Sequence, residues 1–448
     1  MSAKPLKINS FFEKDRLATG RFKASAWLVR LWLSLLSISV AFPFCTAEGQ
    51  EALRNAISLE GSIAVETNAM APQPDRPHLG PVQFALGAYV GMTYDDNINE
   101  SQSNPQSDVI SRIGANLGFD WPATDHSELR FGTGISYLHY LKNTANNGLE
   151  INPDSALTYA LSLDDVILTF YDQLSYSREV MTEGALANIT TLPQFDNTVG
   201  VKVEWDPGKW TIQTSYGHDI FLSDSANDYL NRSSEYFFGR VGWRFAEATQ
   251  AGIEASGSLM AYQVNKQSDN YNYSVGGYVE WQLRPSLHLT LRGGPTIYTF
   301  YSQSQSGGNS TPNSYYVNLV VSHQLTDFIS HSLSINRDVQ LGLNQGNDYV
   351  EQLTANYAVT WALTKRISVG ASALYEDGRQ PLEYLLFGFF PVQSTERYHR
   401  YGGGLQASWK FTDKLAANLN YNHLLRDSNL SDRGYTENSV SFGLNYTF

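Results

Sequence analysis

Cysteine is nearly absent: the 448 residues hold one, Cys45, inside a stretch that reads as an export signal. Once that signal is cleaved, no disulfide framework, thiolate nucleophile or zinc–thiolate site remains available. Long apolar runs are missing as well. Nothing after residue 47 approaches the roughly 20 residues that a spanning helix needs. Basic residues are the minority, 31 against 44 acidic, for a formal net charge of −13. Removing the seven basic and two acidic residues before position 48 leaves a mature chain near −18, which excludes nucleic acid as a partner. Catalytic signatures are lacking too. There is no Gly-x-Ser-x-Gly, no His-Glu-x-x-His and no phosphate-binding loop, and the nine histidines are scattered without metal-ligand spacing. No enzymatic activity, metal or cofactor is expected.

What is present is aromatic and periodic. The chain carries 27 tyrosines, 22 phenylalanines and 9 tryptophans. Residues 1–47 read as a signal peptide. A basic segment with Lys4, Lys7, Lys14, Arg16, Arg21, Lys23 and Arg30 precedes the apolar run 31–44, and cleavage is expected after Ala47. Residues 48–80, stiffened by Pro72, Pro74 and Pro77, read as a periplasmic leader or linker. From Val82 an alternation of apolar and polar residues begins and persists to Phe448, which is the period of a strand with one apolar and one wet face. Eighteen candidate strands can be counted, the first at 82–94 and the last at 435–448.

The connections carry more information than the count. After even-numbered strands they are tight, as at Asp164-Asp165, Asp206-Pro207-Gly208 and Arg284-Pro285-Ser286. After odd-numbered strands they are mostly longer and rich in Asn, Ser, Gly and Asp, as at 95–107, 142–154, 179–195 and 378–395. Short turns at one rim and long loops at the other predict an all-β fold: a transmembrane, antiparallel, up-and-down β-barrel over 81–448 with about 18 strands, short periplasmic turns and long extracellular loops. The alternation gives Tyr401, Leu405 and Trp409 one face of their strand, and Arg400, Gln406 and Lys410 the other. Six tryptophans, at 205, 210, 243, 281, 361 and 409, fall near the short turns, as a periplasmic aromatic girdle requires.

Taking the face opposite the apolar stripe as the lumen assigns to it Arg112, Arg130, Glu204, Arg240, Arg244, Glu254, Glu280, Arg292 and Arg400, together with Asp120, Lys202, Glu376 and Lys410. Two readings stand: a transverse field at a selective constriction, or paired ladders that brace the wall without touching solute. The segment 381–391 is apolar for a loop. Its Tyr384, Leu385, Phe387, Phe389 and Phe390 are candidates for a constriction that folds into the mouth and offers sugar rings a stacking surface. The same residues also suit a plug, a partner contact or a dip into the outer leaflet.

Two segments resemble known proteins. Val440 to Phe448 alternates strictly and ends on an aromatic residue, and so resembles the closing strand of bacterial outer-membrane barrels; the resemblance implies that Phe448 is read by the barrel-assembly machinery. Tyr94-Asp95-Asp96-Asn97-Ile98 resembles the motif that opens members of the beta-barrel porin-2 family, some of which are associated with exopolysaccharide production. Together these lead to an expected cell-outer-membrane, porin-like channel for passive diffusion of small hydrophilic solutes, in contact with outer-membrane lipid and lipopolysaccharide. Two alternatives remain, an outer-membrane component of exopolysaccharide secretion with a polysaccharide or secretion partner, and a plugged structural or adhesive barrel. The sequence leaves the oligomeric state open.

Overall fold

The computed structural model describes residues 77–448 apart from 180–183, 225, 302–311, 346 and 387–389. The export signal and nearly all of the leader lie outside the described residues. Eighteen strands follow one another in chain order: β1 (Val82–Asp95), β2 (Asp108–Thr124), β3 (Ser127–Tyr140), β4 (Gly148–Leu163), β5 (Val166–Glu179), β6 (Thr191–Trp205), β7 (Trp210–Ser223), β8 (Arg232–Ala246) and β9 (Thr249–Tyr262). The second half comprises β10 (Asn270–Arg284), β11 (Leu287–Phe300), β12 (Asn313–Thr326), β13 (Ile329–Leu341), β14 (Tyr349–Ala362), β15 (Ile367–Leu386), β16 (Phe390–Lys410), β17 (Leu415–Ser428) and β18 (Tyr435–Thr447). Each pairs antiparallel with its neighbours, and β18 pairs with β1 in the register Leu444↔Val90 and Thr447↔Gly87. The sheet closes into a ring, which leaves no open edge in the barrel wall; beyond Arg379 and Tyr398 the β15–β16 hairpin extends past its neighbours. His78–Leu79, the last residues of the leader, fold back on Val82–Gln83.

The face assignment follows the sequence alternation. Trp205, Trp210, Trp243, Trp281, Trp361 and Trp409 are exposed on the outside beside the short turns, and Tyr137, Tyr273, Tyr315, Tyr375 and Tyr401 are exposed toward the other rim. Between them lie bare aliphatic side chains, Leu405 (59% exposed) among them. An apolar belt bounded by two aromatic girdles is the exterior of a barrel that spans a bilayer. Leu405 sits midway between Trp409 and Tyr401 on one face of β16. Leu405→Arg is therefore expected to lower folding stability by about 2–4 kcal/mol, read as a drop in the urea midpoint for folding into lipid vesicles. Gln406→Arg, one residue along and facing the lumen, is expected to cost little.

Three stretches depart from the sequence expectation, one of them 179–195, where β6 already begins at Thr191 and pairs with β5 at Ser177↔Gln194. The loop expected over 378–395 is instead a continuation of the ladder: β15 and β16 stay paired from Gly378↔Tyr398 up to Leu386↔Phe390. The expected loop 142–154 is likewise partly strand, because β4 already begins at Gly148. Its pairing with β5 skips from Ile151 to Ser155, across Pro153, which has no N–H to give the ladder.

The Tyr94–Ile98 motif acts where the barrel closes. Asp96 accepts from the backbone N–H of Asn438 (2.7 Å) and from its side-chain amide (2.8 Å). Asn97, buried, donates to the carbonyls of Thr436 (2.9 Å) and Ser101 (3.0 Å). The first loop is thus stitched to the last strand just above the β18–β1 seam.

Candidate functional site: a loop across the lumen

Residues 184–190, between β5 and β6, reach the opposite wall. In a ring of eighteen strands, the position nine strands from β6 is β15, so a loop that starts at β6 and touches β15–β17 crosses the whole diameter. The contacts are specific. The Ala185 carbonyl accepts from Gln380 Nε2 (2.8 Å), Asn344 Nδ2 (2.9 Å) and Arg433 Nη2 (2.8 Å), and the Gly184 carbonyl from Arg426 Nε (2.9 Å). On its own side the loop has an apolar foot, in which Leu186 and Leu192 pack with Phe221 and Leu230, and Ile189 lies against them. Asn188 ties in two further loops: its N–H donates to the Glu100 carbonyl (3.1 Å) and its side-chain amide to the Asp432 carbonyl (2.6 Å).

The receiving wall is a buried ionic cluster. Arg426 Nη2 lies 2.8 Å from Glu396 Oε1, with neither side chain exposed at all. Arg433 Nε is 2.9 Å from the same oxygen, Ser428 Oγ donates to it at 2.6 Å, and Gln380 donates to Oε2 at 2.7 Å. Arg400 pairs with Glu376 at 2.9 Å. A dry Arg–Glu pair contributes little net stability but is costly to break. Such a cluster fixes position, and here it fixes the loop.

Glu100 belongs to this cluster and lies on the β1–β2 loop. Burial pushes its carboxyl up to about 8, against the pull of Arg400 and Arg426. A carboxyl whose pKa is raised by burial takes up a proton as the cluster packs, so the packing that Asn188 ties the loop to weakens progressively from the ordinary value of 4.5 to about 8 and is weakest above that. Open-channel noise is expected to rise between about pH 5 and pH 8, and Glu100→Gln to flatten that dependence; a wild-type trace independent of pH would count against the linkage.

Most of the residues assigned to the lumen from sequence are held in ion pairs. Arg112 meets Glu150 (3.2 Å), Arg130 meets Glu128 (2.5 Å) and Asp120 (3.9 Å), and Lys202 meets Glu204 (3.2 Å). The structure brings Arg240, Glu254, Glu280 and Arg292 together across four strands. Arg240 is 3.1 Å from Glu280, while Arg292 stands 3.7 Å from Glu254 and 3.6 Å from Glu280. Tyr316 (2.7 Å to Glu254) and Gln250 (2.6 Å to Glu280) complete that network. Arg244 turns instead to the periplasmic rim, 2.8 Å from Asp206, and its hydrogen bond holds the Asp206 carboxyl below the usual carboxylate range. Arg400 stands apart from these, in the cluster that receives the loop.

Of the apolar set at 381–391, Phe387 and Phe389 lie outside the described residues, and Tyr384, Leu385 and Phe390 are described by backbone alone, as paired hairpin. Glu396, Arg426, Arg433, Gln380 and Glu100 are absent from the sequence-based set. One signal could have found Arg426: the inward parity of Asn418, Asn420 and Asn422 in β17 continues to it.

No family model matches the chain, and no curated protein matches it. Solved structures similar to it include OccAB3 of Acinetobacter baumannii, at 7% identity over 83% of this chain and 100% of that one, with a TM-score of 0.48. OccK2 (OpdF) of Pseudomonas aeruginosa is 10% identical over 83% and 98%, at 0.47. The outer membrane protein opdK of Pseudomonas aeruginosa is 10% identical over 82% and 99%, also at 0.47.

Proposed function

We propose that this chain is an outer-membrane channel through which small hydrophilic solutes diffuse passively, narrowed near its extracellular mouth by the loop 184–190. One observation carries the reading. On β16 and β17 the inward side chains below that loop are polar and half-exposed, as at Gln406, Ser408, Asn418 and Asn420, whereas at its level Tyr398, Glu396, Gln380 and Arg426 are buried. A closed barrel of 16–18 strands holds an aqueous channel unless something fills it, and along β16 and β17 the burial is found at the level of the loop. The lumen charges are mutually paired, which supports weak rather than strong ion selectivity.

The depth of burial at the mouth favours one rival, a plugged barrel with a structural or adhesive role. Single-channel recording of the refolded mature protein separates the two. Steady open steps with a small preference between cation and anion are expected. A folded, heat-modifiable barrel that passes no current would overturn the channel. Phe448, 53% exposed past the seam and bonded through its N–H to the Leu86 carbonyl at 3.0 Å, is free for the assembly machinery to grip.

A further inference from the structure

The lumen wall has two chemically distinct arcs. From β2 to β11 it carries the paired charges described above. On β16, β17, β18 and β1 the inward positions above the rim residue Lys410 and up to the level of Asn420 are uncharged and are largely amides, hydroxyls and glycine; Glu437 and Asp95 stand inward just above that level. Three asparagines, 418, 420 and 422, stand in a row on β17, about 6.8 Å apart at strand spacing. Gln406 faces Asn420 from β16, and Ser441 faces it from β18.

These residues line a recess of about 420 Å³ on the periplasmic side of the loop, whose edge on β2 carries Arg112, paired with Glu150 at 3.2 Å. That volume lies within the roughly 300–1,000 Å³ of small-molecule sites. Across from the amides, on β1, the Tyr89 ring covers Gly114, where no Cβ would fit, and Tyr89 borders the recess. Among the described residues the side chains of Gln406, Asn422 and Asn445 make no hydrogen bond. Asn418 is engaged through its oxygen by Ser408 (2.6 Å), which leaves its NH₂ unused, and the Asn420–Ser441 bond is long at 3.4 Å.

We propose that this recess binds neutral polyhydroxylated solutes, with Tyr89 as the stacking face and Gln406, Asn418, Asn420 and Asn422 as the hydrogen-bonding row. An amide presents a donor and an acceptor side by side, which is what a vicinal diol needs, and it does so without a charge that would favour an ion. Aromatic rings supply the apolar face that a sugar's C–H surface packs against. The inference rests on the channel reading for its route of access, and the shared chemistry covers both free sugars and a glycan chain in transit.

Two measurements on the full mature barrel keep the readings apart. Titration calorimetry with trehalose, in detergent, reads binding without any need for current. Single-channel recording with trehalose, with a dextran fragment and with gluconate as the charged control reads passage. Trehalose binding and resolved blocking events, with gluconate inert, are expected. Blocks of comparable depth but longer for dextran, entered from the periplasmic side, would identify a chain as the occupant; trehalose blocks from either side would identify free sugars.

The double variant Gln406→Ala/Asn420→Ala removes two hydrogen bonds and is expected to weaken trehalose about tenfold or more. Tyr89→Leu gives an independent reading should the double variant fail to fold. Open channels with no trehalose block and no heat of binding would overturn the recess while leaving the channel standing. Trehalose heat without any current would do the reverse. Equal affinity in wild type and both variants would also overturn the assignment.

Discussion

Replacing Arg426 by alanine is expected to free the loop 184–190 and to convert a quiet, narrow channel into a wider and noisier one. Three bonds are lost together. Arg426 donates to the Gly184 carbonyl at 2.9 Å, pairs with Glu396 at 2.8 Å and donates to the Arg433 carbonyl. Breaking a buried ion pair by deleting one partner costs roughly 3–5 kcal/mol, because the remaining charge stays buried. Arg433 still sits 2.9 Å from Glu396, which places the expected cost toward the lower end. About 3 kcal/mol shifts the ratio of docked to undocked loop by a factor of about 150. Exposed ion pairs elsewhere on the barrel are worth far less, so a substitution at Lys266 with Asp228 serves as the inert control. The double change Arg426→Met/Glu396→Gln removes both charges and is expected to recover part of the docking. An unchanged conductance in an Arg426→Ala protein that still shows the heat-modifiable band would mean that the loop does not set the pore.

The architecture was legible because its code is local. Period two is written in each strand, and turn length alternates along the chain, so neither needs knowledge of what lies across the barrel. Leu405 and Trp409 outside, with Arg400 and Gln406 inside, follow from parity alone. The loop across the lumen was not legible, for the opposite reason. Its bonds join residues far apart in sequence: Arg426 to Gly184, Arg433 to Ala185 and Gln380 to Ala185 are separated by 242, 248 and 195 positions. Gly184-Ala185-Leu186-Ala187 is also bland as sequence, whereas the aromatic 381–391 draws the eye, and its backbone proves to be the upper part of a hairpin. Charge pairing was half legible. Parity puts Arg240 and Glu254 on neighbouring strands, but the long side chains reach past them, so that Arg240 takes Glu280 and Arg292 takes Glu254. The opening motif Tyr94–Ile98 reads as a simple loop start until the ring is closed and Asn438 is found against Asp96.

Gly184→Val tests the same loop through shape rather than charge. At Gly184 a Cβ would overlap the Glu376 carboxylate and the Tyr398 ring. Neither can step aside. Glu376 is 1% exposed and held by Arg400 at 2.9 Å, and Tyr398 is fully buried against Ala185 and Val350. Overpacking a filled site costs about 1–3 kcal/mol, and displacing Glu376 adds the cost of disturbing a buried ion pair. The cheaper response is for the loop to leave, since its apolar foot on Phe221 and Leu230 is small. Conductance is therefore expected to rise as it does in Arg426→Ala, while the Arg426–Glu396 pair stays intact. That shared outcome from unrelated lesions would assign the change to the position of the loop, because one variant alters charge and the other only volume. Gly184→Ala, with the smaller addition, should fall between wild type and valine. If valine leaves the conductance of a folded barrel unchanged while Arg426→Ala raises it, the lumen charge of the receiving wall, and not the loop, sets the current.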